Sequence, residues 1–398
     1  MTVTEYPMPG GGLGSLSTSQ LVAALSAEAV AAAGLADWGE AAFFSHLELL
    51  VESCRQTAGL TPAGWALLGK VVVRHLRNQL YLQAYLAAHP DVRSRPIEAP
   101  TIVTGLPRTG TTLLHNLLAL DPDNRILRFW EGLHPVPQPG EAAQAALVEQ
   151  AARWLARLYQ ISPSFRAIHY STADGPEECD ALLQNAFASQ HFDDMFQAEA
   201  YSAWLNAADL VEEYAYFALQ LQALDATDGL RRPWFLKSPS HLGYLDTVLA
   251  TFPGAVIVVC HRDPIEAVAS YASLVEAVRA PHSEHVSRPA IGAHALNRCT
   301  AAADRSLQAR ARRGSDSFFD ISYRQLVSDP LAVVDGLYWR LGRTLSGDTR
   351  TVMQQWLFEN PQHKQGPHHY SLDRFGLTPD AITRGLGGYL EQFGAYVR

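Results

Sequence analysis

Thr101-Ile-Val-Thr-Gly105-Leu-Pro-Arg-Thr-Gly110-Thr-Thr-Leu-Leu-His115-Asn-Leu-Leu-Ala-Leu120 is the stretch that decides the fold. It opens on a short apolar run, turns through two glycines and continues as a helix with leucines at helical spacing. The same order of strand, loop and helix recurs downstream. Trp234–Leu236 precedes a loop and a helix from about Leu242, Ala255–Cys260 precedes Pro264–Val278, and Phe318–Ile321 precedes Pro330–Leu341. Apolar strands alternating with helices are covered on both faces, which predicts a parallel sheet flanked by helices. Between the first two strands lies a long insert, about Trp130 to Arg232, helical in pattern and rich in aromatics such as Phe192 and Trp204. The expected architecture is α/β with a helical cap.

Upstream, three helical stripes are expected over Leu21–Ala33, Trp38–Ala58 and Pro62–Ala88. The first twenty residues are rich in Gly, Ser, Thr and Pro and read as a loose arm. The expected division is an arm over 1–20, a helical segment over 21–98 packed on the core, and the α/β domain over 99–398. At 398 residues with 47% hydrophobic and 18% charged residues, the composition is that of a soluble globular chain that needs no disulfide or metal staple. No stretch of 18 apolar residues is present, so no membrane span is expected. A net charge of −9 argues against nucleic acid or an anionic membrane as partner. Four cysteines without a CxxC pair fit a reducing cytoplasm and no zinc framework. Of the 31 basic residues only Lys70, Lys237 and Lys364 are lysines, which singles out Lys237 at the end of a strand.

Gly105 to Thr112 has the G-x4-G spacing of a phosphate loop, with Thr111 where a Walker A motif has lysine. The anion logic survives that change. Backbone N–H groups and the helix dipole face an anion, Thr111 and Thr112 add hydroxyls, and Arg108 supplies a forked cation. The missing lysine disfavours an ATP-dependent kinase or NTPase, and the cationic set disfavours a non-catalytic nucleotide-binding protein. A second anion site is expected after the strand that ends in Cys260. There Asp263 is an N-cap, Pro264 opens the helix and Glu266 completes a capping box. Arg262 precedes that helix at a strand carboxyl edge, where open α/β sheets bind ligands, and Ser270 follows eight residues later.

The two segments together resemble the sulfotransferases that use 3′-phosphoadenosine 5′-phosphosulfate (PAPS), in particular bacterial members related to the tyrosylprotein and mycobacterial types. Pro107, Arg108, Thr109, Gly110, Thr111 and Thr112 match their P-[KR]-[ST]-G-T-T signature, and Arg262 with Ser270 matches their second signature. The likeness spans about Pro100 to Gly376. It implies a P-loop, nucleotide-kinase-like fold and transfer of a sulfuryl group from PAPS to a hydroxyl, leaving 3′-phosphoadenosine 5′-phosphate (PAP). In this resemblance the first signature holds the 5′-phosphosulfate and Arg262 with Ser270 holds the 3′-phosphate. Lys237 contacts the sulfuryl oxygens, with Ser238 and Ser240 as helpers, and His363, Lys364 and Gly366 reach the 3′-phosphate. Glu131 corresponds to the general base, with His134, His169, Glu177 and Glu178 as rivals. No metal is required, and no acid or cysteine joins the C-terminal histidines at ligand spacing. The insert, including Phe192 and Trp204, is expected to shape a pocket for a small-molecule, lipid or glycan acceptor, with Arg279–Pro289 as a lid. A homodimer stays open.

Overall fold

The computed structural model describes residues 12–137, 144–161, 166, 170–229, 231–361 and 371–397. Four parallel strands, β1 (Thr101–Gly105), β2 (Phe235–Lys237), β3 (Val256–His261) and β4 (Phe318–Ser322), form one sheet in the order β2-β1-β3-β4. Each begins within a residue of its expected place. The order puts the chain reversal at β1 and β3, whose carboxyl ends carry the glycine loop and Arg262.

Strand alternation divides the core in two. Val103, Val258 and Ile321 face a cluster built from the helices Thr111–Leu118, Tyr323–Ser328, Pro330–Arg340 and Gly347–Glu359. Ile102, Leu236, Ile257 and Val259 face the opposite way, into a larger cluster. That cluster contains Val268 and Cys299 from the helices Pro264–Arg279 and Arg288–Arg313, the insert, and the N-terminal helices. The first hundred residues therefore share the core of the sheet through Leu25, Leu47 and Leu76.

The arm expected over 1–20 does not extend over its last residues, and 1–11 lie outside the described residues. Ser17 caps the helix Thr18–Ala33 through a capping box with Gln20, and Leu13 is buried against Gly69. The middle helix runs Phe43–Thr57, shorter than its expected Trp38 start, while Pro62–Ala88 keeps both bounds, opened by the Thr61 cap and Pro62. Among the described residues no helix is long and apolar enough to cross a membrane.

Arg279–Pro289 is not a lid. It is strapped to the N-terminal helices: Leu60 and Ser283 form an antiparallel bridge, the Glu284 N–H donates to the Gly59 carbonyl (2.7 Å), and Thr61 N–H donates to that of His282 (3.1 Å). Gly64 allows the approach, because a Cβ there would lie 2.2 Å from the His282 carbonyl oxygen. Gly64→Ala forces two packed backbones apart and is expected to lower stability by about 1–3 kcal/mol. Gly387→Ala, with open space around it, is expected not to lower it. Denaturant unfolding of both variants checks the difference.

Candidate active site

The loop after β1 is shaped by two glycines. Gly105 has φ +152°, and a Cβ on it would stand 2.4 Å from the Cys260 carbonyl oxygen, so the loop leaves the sheet pressed against β3. Gly110 has φ +93° and lies under the Tyr323 ring. Arg108, a non-glycine residue at φ +70°, sits at the turn between them. Thr109 is buried and its hydroxyl donates to the Leu106 carbonyl (2.7 Å), which fixes the turn from inside. The N–H groups that open the helix Thr111–Leu118 then face outward.

Arg262 secures the same turn from β3. Its guanidinium donates to the Arg108 carbonyl (2.9 Å) and lies 4.4 Å over the Tyr323 ring. Asp263 caps the next helix as expected, through the Ile265 N–H (2.9 Å). Glu266 departs from expectation: it does not close a capping box but pairs with Arg262 (2.7 Å). Ser270 is buried, and its hydroxyl accepts from Arg108 Nε (3.2 Å). Arg108, Arg262 and Ser270, distant in sequence, thus meet at one place.

Opposite the loop stands a charged cluster carried by the insert. The Cys179 N–H donates to the Lys237 carbonyl (2.9 Å), so the segment 177–180 lies along the end of β2. Lys237 is almost fully buried and its ammonium meets Glu178 at 2.5 Å. The other Glu178 oxygen lies 3.3 Å from Nε2 of His191. Asp180 accepts from the hydroxyls of Ser238, Ser240 (3.1 Å) and Ser189 (2.8 Å). Burial works against charge on His191, but Asp180 and Glu178 outweigh it and push its pKa up to about 9. His191 is therefore a cation at neutral pH. Burial raises Glu177 to about 7, partly offset by Lys237. Burial and Lys237 push His115 down to about 3. Glu178, Asp180 and His191 also bring one ligand atom each within 4.8 Å of one another, the one set of metal-ligating type among the described residues. The ammonium on Glu178 and the three hydroxyls on Asp180 already satisfy those carboxylates.

Loop and cluster share one cavity of about 670 Å³, within the usual range of small-molecule sites. Pro107, Arg108, Gly110, Thr111, Thr112 and Arg262 line one side and Glu178, His191 and Ser240 another. Asp194, Tyr271 and Arg298 continue the wall as a hydrogen-bonded group, with Arg298 2.6 Å from Asp194.

Several expected site residues lie elsewhere. Glu131 is buried with both oxygens held by the Arg125 fork (2.6 and 3.0 Å), and it also accepts from the Arg128 N–H (2.9 Å). Arg125 stacks on Trp234 at 4.4 Å. Glu131 does not line the cavity, and this ion pair explains its place. His134 is also away from the cavity, its pKa pushed down to about 4 by burial and by Arg74 and Arg77. Phe192 packs in the core between Phe187 (5.8 Å) and His75 (5.7 Å), and Trp204 stacks on His46 (4.5 Å). Neither lines the cavity. His169, His363, Lys364 and Gly366 lie outside the described residues. Sequence reasoning missed His191, Asp194, Arg298 and Tyr323. Only Tyr323 carried a signal, its position directly after β4 at the carboxyl edge.

The model of the Sulfotransferase family matches residues 100–347. Two solved structures are similar over nearly the whole chain. Sulfotransferase STF9 from Mycobacterium avium is 30% identical, with 93% of this chain and 96% of that one covered and a TM-score of 0.81. Sulfotransferase STF1 from Mycobacterium tuberculosis H37Rv is 31% identical, with 92% and 98% covered and a TM-score of 0.81. No curated protein matches the chain by sequence. At 92–93% of this chain both likenesses reach into the N-terminal helices, which the sequence motifs left uncovered, and both carry the P-loop-like α/β fold. The family match over residues 100–347, with two sulfotransferases at 30% and 31% identity along almost the whole chain, shows that this chain belongs to the sulfotransferase family.

Proposed function

We propose that the protein transfers a sulfuryl group from PAPS to the hydroxyl of a small-molecule, lipid or glycan acceptor, with PAP as the product. The observation that supports this most is the single cavity that has Arg108, Thr111, Thr112 and Arg262 on one wall and Glu178 and His191 on another. The donor supplies an activated sulfuryl group; the chain binds it, orients it and moves one proton. The N–H groups at Thr111 and Thr112 and the Arg108 fork suit the 5′-phosphosulfate. Arg262, beside the Tyr323 ring, suits the 3′-phosphate, and the Ser270 hydroxyl joins it once Arg108 turns to the donor. His363, Lys364 and Gly366 stay in the proposal as further contacts to the 3′-phosphate.

Glu178 replaces Glu131 as the proposed base, because it lines the cavity while Glu131 is tied to Arg125. The acceptor oxygen bonds to sulfur as the bond from sulfur to the 5′-phosphate oxygen breaks, and the hydroxyl proton passes to Glu178. Until then Lys237 and His191 flank the Glu178 carboxylate, one on each oxygen. A hydroxyl becomes strongly acidic as its oxygen joins sulfur, so a carboxylate flanked by two cations still accepts the proton. As that charge is lost, Lys237 is released to the developing charge on the sulfuryl oxygens.

Transfer of radiolabelled sulfur from PAPS to a panel of phenols, alcohols and lipid-linked sugars tests the reading. Label that reaches no hydroxyl in any class overturns it. Glu178→Gln is expected to lower kcat by about 100-fold or more while PAP affinity stays within about threefold. A loss confined to PAP affinity removes Glu178 from proton transfer. The pH profile gives a second check. Charge on His191 is present below its raised pKa and lost as pH rises through about 9, so kcat/KM is expected to fall there. His191→Gln should lack that limb and be slower at pH 7.

A further inference from the structure

Partly or wholly buried arginines in this fold generally meet a carboxylate, as Arg125, Arg279, Arg298, Arg310 and Arg343 do. Among the described residues, Arg74 and Arg77 meet none. They stand three residues apart on the Pro62–Ala88 helix, where such side chains share a face about 5–6 Å apart at Cβ. Both are half-buried, and the Nε of each is shut off from solvent without an acceptor. Among the described residues their contacts are neutral. Arg74 donates to Nε2 of His75 (3.0 Å), whose other nitrogen meets Asn185 (2.7 Å), and lies 6.0 Å from the Trp154 ring. Arg77 donates to the Tyr81 hydroxyl (3.0 Å).

Two like charges one turn apart repel, and each has given up part of its hydration. Burial, with no counter-charge among the described residues, brings the pKa of Arg74 down to about 10, which still leaves it a cation. His134 feels both guanidinium groups, which with burial push its pKa down to about 4. Neither arginine lines the donor cavity, so the donor does not complete them. Trp154, 42% exposed, adds a flat apolar face beside Arg74.

We propose that Arg74 and Arg77 form a second anion site, separate from the donor cavity, which takes a phosphate or carboxylate group and lays any attached organic part on Trp154. Two guanidinium forks match the several oxygens of such a group better than a chloride ion does. The site is independent of the PAPS reading.

The His134 ring, assigned through His134→Gln, reports on it by NMR. Inorganic phosphate and phenyl phosphate are titrated into wild type, Arg74→Gln/Arg77→Gln and Arg262→Ala. Wild type is expected to show a saturable shift of the His134 signal, and the double variant to need at least about tenfold more ligand. Arg262→Ala should leave that midpoint unchanged. A lower midpoint for phenyl phosphate assigns the site to an organic anion, and equal midpoints assign it to the free ion. An unsaturable response in wild type overturns the proposal whether or not the double variant folds, and so does a midpoint unaltered by that variant.

Discussion

The close approach of the Gly105 loop to β3 is the constraint on which the site depends. No side chain fits between Gly105 and the Cys260 carbonyl, so the loop must leave the sheet in one direction. Arg262, two residues beyond Cys260, then reaches the Arg108 carbonyl. One contact between adjacent parallel strands therefore sets both the turn that aims backbone N–H groups outward and the position of the second cation. The order β2-β1-β3-β4 makes β1 and β3 neighbours. Ligand binding at the carboxyl edge where strand order reverses follows from that topology.

The insert completes the site by electrostatics rather than by apolar lining. Its segment 177–180 is tied to β2 by the Cys179–Lys237 backbone hydrogen bond, and the buried Lys237–Glu178 pair is reinforced by His191. Breaking a buried pair by removing one partner costs about 3–5 kcal/mol, because the other charge is left uncompensated. Glu178 thus holds the cap on the sheet as well as standing at the cavity. The aromatic side chains expected to shape an acceptor pocket serve the core: Phe192 and Trp204 join the insert to the N-terminal helices.

What was legible in the sequence was local. Strand, glycine turn and helix are set by neighbours along the chain, so all four strands and the helix Pro62–Ala88 were read close to their observed bounds. Arg108 and Arg262 were found because a motif and a strand end announce them. Glu131 was misread because its partner Arg125 and the Trp234 ring beneath it come together only in three dimensions. Glu178 stood only as one of four rivals for the same reason: its partner Lys237 is 59 positions away. His191 had no signal at all, since its charge is created by carboxylates from another turn of the fold. Glu266 fitted a capping pattern, yet a neighbouring arginine took its carboxylate.

The central claim is that Arg262 and the Gly105 loop together make a site for a nucleotide bearing a 3′-phosphate. Calorimetric binding of PAP, with ATP, ADP and AMP as controls, in wild type and in Arg262→Ala, tests it most directly. The account predicts micromolar or tighter binding of PAP, much weaker binding of the other three, and loss of that preference in the variant. ATP binding as tightly as PAP, with no effect of Arg262→Ala, would contradict it.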